Sequence, residues 1–190
     1  MTRIKICGLT QPADVEAAVA AGADALGFVL APSPRQVSVA RARELVHATL
    51  GGVHTYAVFR QVDADAVAQA GAAAVEGIQG HGSLATLPVV CDGPDLAVEL
   101  QGFQPGQVVL IDGPDPGSGR PPDLHRVADA LAGRGLRLVL AGGLKPETVG
   151  AAIAQLQPFA VDVSSGVELR RGVKDPARIH AFCSAVRSAS

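Results

Sequence analysis

Eight short runs of aliphatic and β-branched residues recur along the chain, most of them separated by a helix-like segment. They are Ile4–Cys7, Ala25–Leu30, His54–Phe59, Ala74–Ile78, Pro88–Cys91, Gln107–Ile111, Arg137–Leu140 and Ala160–Val163. Such alternation specifies βα units on a parallel sheet. Eight strands predict a single closed (β/α)8 barrel of the α/β class over residues 1–190, although a doubly wound sheet is built from the same units. Helices are expected at Pro12–Ala21, Val39–Thr49, Ala64–Ala70, Asp95–Gln101, Leu124–Ala132, Pro146–Gln155 and Pro176–Ser188. Ser38, Pro146 and Asp175-Pro176 supply start signals for three of them.

A faint internal repeat supports this reading. Ala21-Gly22-Ala23-Asp24-Ala25-Leu26-Gly27-Phe28 resembles the run from Ala70 to Ile78, each copy a helix end, a glycine stop and a new strand. One unit is short. Between a fourth strand ending near Gln79 and the fifth lie only Gly80 to Leu87, so the fourth helix is expected to be vestigial. No linker or composition break divides the chain.

Several function classes are disfavoured. Net charge is −2, and the 16 basic residues are scattered with no aromatic-interleaved stripe, so nucleic acid is not an expected partner. No apolar stretch reaches the roughly 18 residues that span a bilayer. Strand-like residues begin at Arg3, without a signal-peptide pattern. Cys7, Cys91 and Cys183 are widely spaced and lack zinc-site spacing, which reads as reduced thiols in a cytoplasm.

Catalytic chemistry on such a barrel belongs at the carboxyl ends of the strands. Arg3-Ile4-Lys5-Ile6-Cys7-Gly8 puts Lys5 and Cys7 on one face, with Cys7 at the strand end. A thiolate there can serve as base or nucleophile, given nearby positive charge such as Lys5; a buried, inert thiol is the plain alternative. Leu140-Ala141-Gly142-Gly143-Leu144 follows strand seven, and Val163-Ser164-Ser165-Gly166-Val167 follows strand eight. Loops at these two positions form the usual barrel phosphate site, so Gly142, Gly143, Ser164, Ser165 and Gly166 are its candidates. Arg35, after strand two, could grip a substrate carboxylate or simply lie at the surface. Asp162 interrupts an apolar strand, and an inward carboxylate needs Lys5 or substrate hydroxyls as partners. The long loop after strand six runs from Asp112 to Asp123. Its spacing makes Asp123 a helix N-cap, with Asp112 and Asp115 read as solvated turn residues.

Taken together, these segments resemble the phosphoribosylanthranilate isomerase family of tryptophan biosynthesis. The resemblance runs from Lys5-Ile6-Cys7-Gly8-Leu9-Thr10 through Ser33-Pro34-Arg35 and Leu140-Ala141-Gly142-Gly143-Leu144. It continues to Ser164-Ser165-Gly166-Val167-Glu168 and Gly172-Val173-Lys174-Asp175-Pro176. It thins between about Phe59 and Val108. The resemblance implies a ribulose-phosphate-binding TIM barrel, with Cys7 as general base and Asp123 as general acid. It also implies Arg35 at the anthranilate end of the substrate and the two small-residue loops at its phosphate. The family's Phe-Asp-Trp becomes Pro122-Asp123-Leu124 here, and its Gln-Leu-His-Gly becomes Gln79-Gly80-His81-Gly82.

The implied reaction is an acid/base Amadori rearrangement needing one donor and one acceptor, so no cofactor and no metal are expected. It requires a partly desolvated Asp123 and a partly ionised Cys7. A small phosphorylated metabolite is the expected partner, and a monomer the expected state. A ProFAR-type isomerase would carry an aspartate where Cys7 stands. A degenerate barrel that only binds phosphometabolites would show no turnover.

Overall fold

The computed structural model describes residues 1–49 and 52–190. Eight parallel strands close into a barrel in chain order: β1 (Arg3–Cys7), β2 (Ala25–Val29), β3 (His54–Gln61), β4 (Gly77–His81), β5 (Leu87–Cys91), β6 (Val108–Asp112), β7 (Arg137–Leu140) and β8 (Ala160–Val163). Closure comes from β1 pairing with β8. The helices are α1 (Pro12–Ala20), α2 (Val39–His47), α3 (Ala64–Ala73), α4 (Leu96–Glu99, extended by a 3₁₀ turn), α5 (Leu124–Leu131), α6 (Val149–Leu156) and α7 (Pro176–Ala189). No described helix is long and apolar enough to cross a membrane.

Strand parity divides the apolar residues into two layers. Outward side chains such as Ile4, Ile6, Leu26, Phe28, Ile111 and Leu140 are fully buried beneath the helices, each contributing about 1.5–3 kcal/mol by transfer from water. Inward side chains form a smaller cluster of Leu87, Leu110, Val139, Ala141 and Ala160. That cluster plugs the barrel below the strands' carboxyl ends and leaves those ends free for a site.

The fourth strand departs from the sequence reading. Gly71 does not stop α3; the helix continues to Ala73 and ends with Ala74 in the left-handed region at φ 58°. β4 therefore begins at Gly77 instead of Ala74. A left-handed alanine cap carries no sequence signal. The fourth helix is absent altogether: a turn at 82–86 leads directly into β5. Pro146 belongs to a turn closed by Lys145 and Thr148, so α6 opens at Val149. After β8, a 3₁₀ turn and a short antiparallel hairpin, β9 (Glu168–Arg170) and β10 (Val173–Lys174), precede α7. That hairpin was not anticipated.

Candidate active site

β1 and β8 set the floor of the site. Lys5 and Asp162 are register partners on adjacent strands, and Lys5 Nζ donates to Asp162 Oδ1 at 3.0 Å, both side chains buried. Burial works against the charge on Lys5, but Asp162 and then Cys7 hold its proton above the ordinary lysine range. Cys7 stands one inward step above Lys5, opposite Gly27 of β2. Burial pushes its thiol above the ordinary cysteine range; Lys5 pulls the other way, Asp162 adds to the rise, and Lys174 opposes it. Gly8 then turns the chain sharply at φ 74°.

Across the barrel, β6 ends one residue later than expected, at Asp112. Val108, Leu110 and Asp112 share the inward parity, so Asp112 stands at the carboxyl end of β6 as Cys7 does on β1. Burial pushes its carboxyl up to about 6, against the Gly113 N–H that donates to Oδ1 at 2.8 Å. The nearby Asp162 charge adds to the rise. Asp112 is thus no solvated turn residue: it lines the same cavity of about 700 Å³ as Cys7 and Asp162.

Asp123 lies elsewhere, which corrects its expected place beside the base. Its Oδ1 accepts the N–H groups of His125 (3.0 Å) and Arg126 (3.3 Å), capping α5, and its side chain is half exposed. Those hydrogen bonds, the Arg126 one first, hold its carboxyl below the ordinary range, the opposite of what an acid needs. Its own N–H donates to Asp92 at 2.8 Å, and Asp92 also receives a two-pronged contact from Arg126. The end of the loop is tied down outside the cavity, whose wall it reaches only with Pro116 to Gly119.

The cavity has two unlike halves. Val29, Val58, Phe59 and Val89 make one side apolar, with Gln79 and His81 among them. Gln79 Oε1 is buried without a hydrogen-bond partner among the described residues. The other side is lined by Gly142, Gly143, Ser164 and Ser165, and Gly142 backs directly onto the Asp112 carboxylate. The amides of Gly142, Gly143 and Ser165 donate to no acceptor among the described residues. Gly166 sits behind this wall against Leu144, its carbonyl accepting Arg178 Nε at 3.0 Å.

Arg35 lines the cavity, but its fork is already engaged. Nε and Nη2 donate to the two oxygens of Glu168 at 2.6 and 3.1 Å. Nη1 makes no hydrogen bond among the described residues. Lys174 Nζ completes the cluster, donating to Glu168 Oε1 at 3.2 Å and to the carbonyl and hydroxyl of Ser164 at 2.9 and 3.2 Å. Burial works against the charge on Glu168, but Arg35 and Lys174 together hold its carboxyl below the ordinary range. Neither Glu168 nor Lys174 was singled out from sequence, because their contacts depend on the unforeseen hairpin. Asp112 was legible in principle: one more residue on the sixth strand puts it inward.

The sequence model of N-(5'phosphoribosyl)anthranilate (PRA) isomerase matches residues 4–185. The chain belongs to this family. Curated family members of that name from Ralstonia pickettii (strain 12J) and Pseudomonas aeruginosa (strain LESB58) are each 40% identical. They cover 99% and 98% of this chain and 94% and 95% of their own lengths. The phosphoribosyl anthranilate isomerase of Thermus thermophilus superposes with a TM-score of 0.85 at 32% identity, covering all of both chains. A structure of a family member in complex with reduced 1-(o-carboxyphenylamino)-1-deoxyribulose 5-phosphate superposes with a TM-score of 0.79 at 31% identity over 99% of this chain and 100% of the other.

Proposed function

We infer that this chain is an isomerase of tryptophan biosynthesis. It converts N-(5-phosphoribosyl)anthranilate to 1-(2-carboxyphenylamino)-1-deoxyribulose 5-phosphate. The observation that carries the reading is a thiol and a carboxyl of raised pKa facing one cavity from the carboxyl ends of two strands, Cys7 on β1 and Asp112 on β6. Family membership supports it.

Asp112, which holds its proton more tightly than an ordinary carboxyl, donates it to the furanose ring oxygen. The C1–O bond breaks, and the anilino nitrogen takes up the positive charge as a protonated Schiff base. The Cys7 thiolate removes the proton from C2, and the resulting enolamine relaxes to the ketone. One donor and one acceptor suffice, so the chemistry calls for neither metal nor cofactor. Asp112 takes the role that the family resemblance had lent to Asp123. The unengaged amides of Gly142, Gly143 and Ser165, with the Ser164 hydroxyl and the loop closed by Gly166, suit the phosphate of a chain of net charge −2. The apolar half suits the aromatic ring, with Nη1 of Arg35 left for its carboxylate. Asp162 and Gln79 are available to ribose hydroxyls. The site needs no group from a second copy, so a monomer can carry it, and the free thiols of Cys7, Cys91 and Cys183 suit the cytoplasm.

The test is turnover of phosphoribosylanthranilate, followed by the loss of its fluorescence, in the wild type and Cys7→Ser. Removing a general base should cost about two to four orders of magnitude while the fold persists. An inactive wild type would leave a binding barrel, and near-normal turnover in the variant would remove Cys7 as base.

A further inference from the structure

The mechanism leaves one buried cation unexplained. Lys174 has its side chain fully shielded from solvent and uses all three ammonium hydrogens on Ser164 O, Ser164 Oγ and Glu168 Oε1. Burying an ammonium is costly unless the site gains by it.

Its surroundings point to the gain. Arg35 and Lys174 share the single carboxylate of Glu168, so the cluster of two cations and one anion carries a net charge of +1. The cluster encloses Gly8, the residue after Cys7: a Cβ there would lie 2.6 Å from Arg35 Cδ and 2.9 Å from Ser164 Oγ. On the other side of the thiol, the Lys5–Asp162 pair is neutral as a whole. Asp112 brings negative charge from β6 once ionised. The surplus positive charge facing Cys7 therefore resides in the Arg35–Glu168–Lys174 cluster.

We propose that Lys174 is a positioning residue: its ammonium fastens the Ser164 loop to the Arg35–Glu168 pair and supplies the excess charge that favours the Cys7 thiolate. This rests on the reading of Cys7 as the base. The mutual electrostatics agree, since Lys174 draws the thiol's proton affinity down and Cys7 draws that of Lys174 up. Burial remains the larger influence on both groups, so Lys174 offsets part of the cost of ionising Cys7 and does not abolish it.

The test reads Cys7 directly and needs no substrate. The rate of iodoacetamide alkylation of the Cys7 peptide is followed against pH by mass spectrometry in the folded full chain. The variants are Lys174→Met, Lys174→Gln and Lys174→Arg. Gln keeps a donor for Ser164 O without the charge; Arg keeps the charge. The midpoint should rise by about one unit in the Met and Gln variants, a roughly tenfold smaller thiolate fraction at neutral pH, and stay near the wild type in the Arg variant. If the Met variant does not fold, the Gln and Arg pair decides. An unmoved midpoint in the Gln variant overturns the proposal. So does an Arg variant that shifts as far as Gln, because packing and not charge would then be responsible. Loss of isomerase activity in the wild type would bear on the function alone and leave this readout intact.

Discussion

A Cβ atom on Gly27 would lie 2.8 Å from the sulfur of Cys7, so the thiol has its place only because β2 is bare at that point. The same methyl would stand 3.0 Å from Lys5 Nζ. In Gly27→Ala, sulfur and ammonium must both give way. Turnover should fall about ten- to a hundredfold, because small misplacements of a reacting group are costly. Melting temperature should drop only by a few degrees, as for an overpacking cost of about 1–3 kcal/mol. Wild-type kinetics in this variant would mean the thiol is free to move without penalty.

Asp112 and Asp123 give opposite expectations under the same substitution. Asp112→Asn removes the proton donor and should lower turnover by about two or more orders of magnitude. Asp123→Asn should leave turnover near normal, because Asn caps a helix nearly as well as Asp. Measuring both in parallel separates the cavity residue from the cap. Loss of activity confined to Asp123→Asn would return the acid to the loop's end.

The same Asp112 variant should be more stable than the wild type at pH 8. Asp112 has its folded pKa raised from 3.8 to about 6, so its favourable contribution is fully present below the unfolded value. That contribution is lost as pH rises through about 6. Above that, a buried carboxylate is held ionised, at a cost on the order of 1–3 kcal/mol that Asn does not incur. A stability difference between the two proteins that is no larger at pH 8 than at pH 4 would contradict the shift.

Activity needs Asp112 protonated and Cys7 ionised, yet the acid titrates below the base. The active form is therefore a minor one of nearly constant population between the two values. The pH profile of kcat/KM should rise to a plateau near pH 6, remain flat, and fall only above the ordinary cysteine range. The lower limb belongs to Asp112 despite resembling a base. A maximum confined to pH below 6 would contradict the raised proton affinities of Asp112 and Cys7.

Inorganic phosphate should inhibit competitively. Ser165→Asp places a carboxylate on the small-residue wall and should raise KM by roughly tenfold or more, with kcat less affected. An unchanged KM together with unchanged phosphate inhibition would move the anion site away from the loops after β7 and β8.

The barrel was legible because it rests on repetition. Eight alternating runs fix the count of strands, and parity alone puts Lys5, Cys7 and Asp162 on the inner face. What escaped was decided by a single residue or by distant pairing. Ending the sixth strand at Ile111 left Asp112 in a loop, and the resemblance then put the acid at Asp123, whose spacing alone reads as a helix cap. Ala74 in a left-handed conformation displaced β4 by three residues. The Glu168 and Lys174 contacts with Arg35 and Ser164 cross up to 133 positions of sequence, and no periodicity records them.

The missing helix between β4 and β5 gives the barrel a seam. Two positions pair there, Gln79 with Leu87 and Gly80 with Pro88, and the proline has no N–H to contribute. Thr86 fastens the edge instead, its hydroxyl accepting the N–H of Ile78 at 2.8 Å. Gln79, His81, Val89 and Cys91, which stand along this seam, also line the apolar half of the cavity. The side of the tube that lacks a covering helix is thus the side on which a flat ring would have to lie.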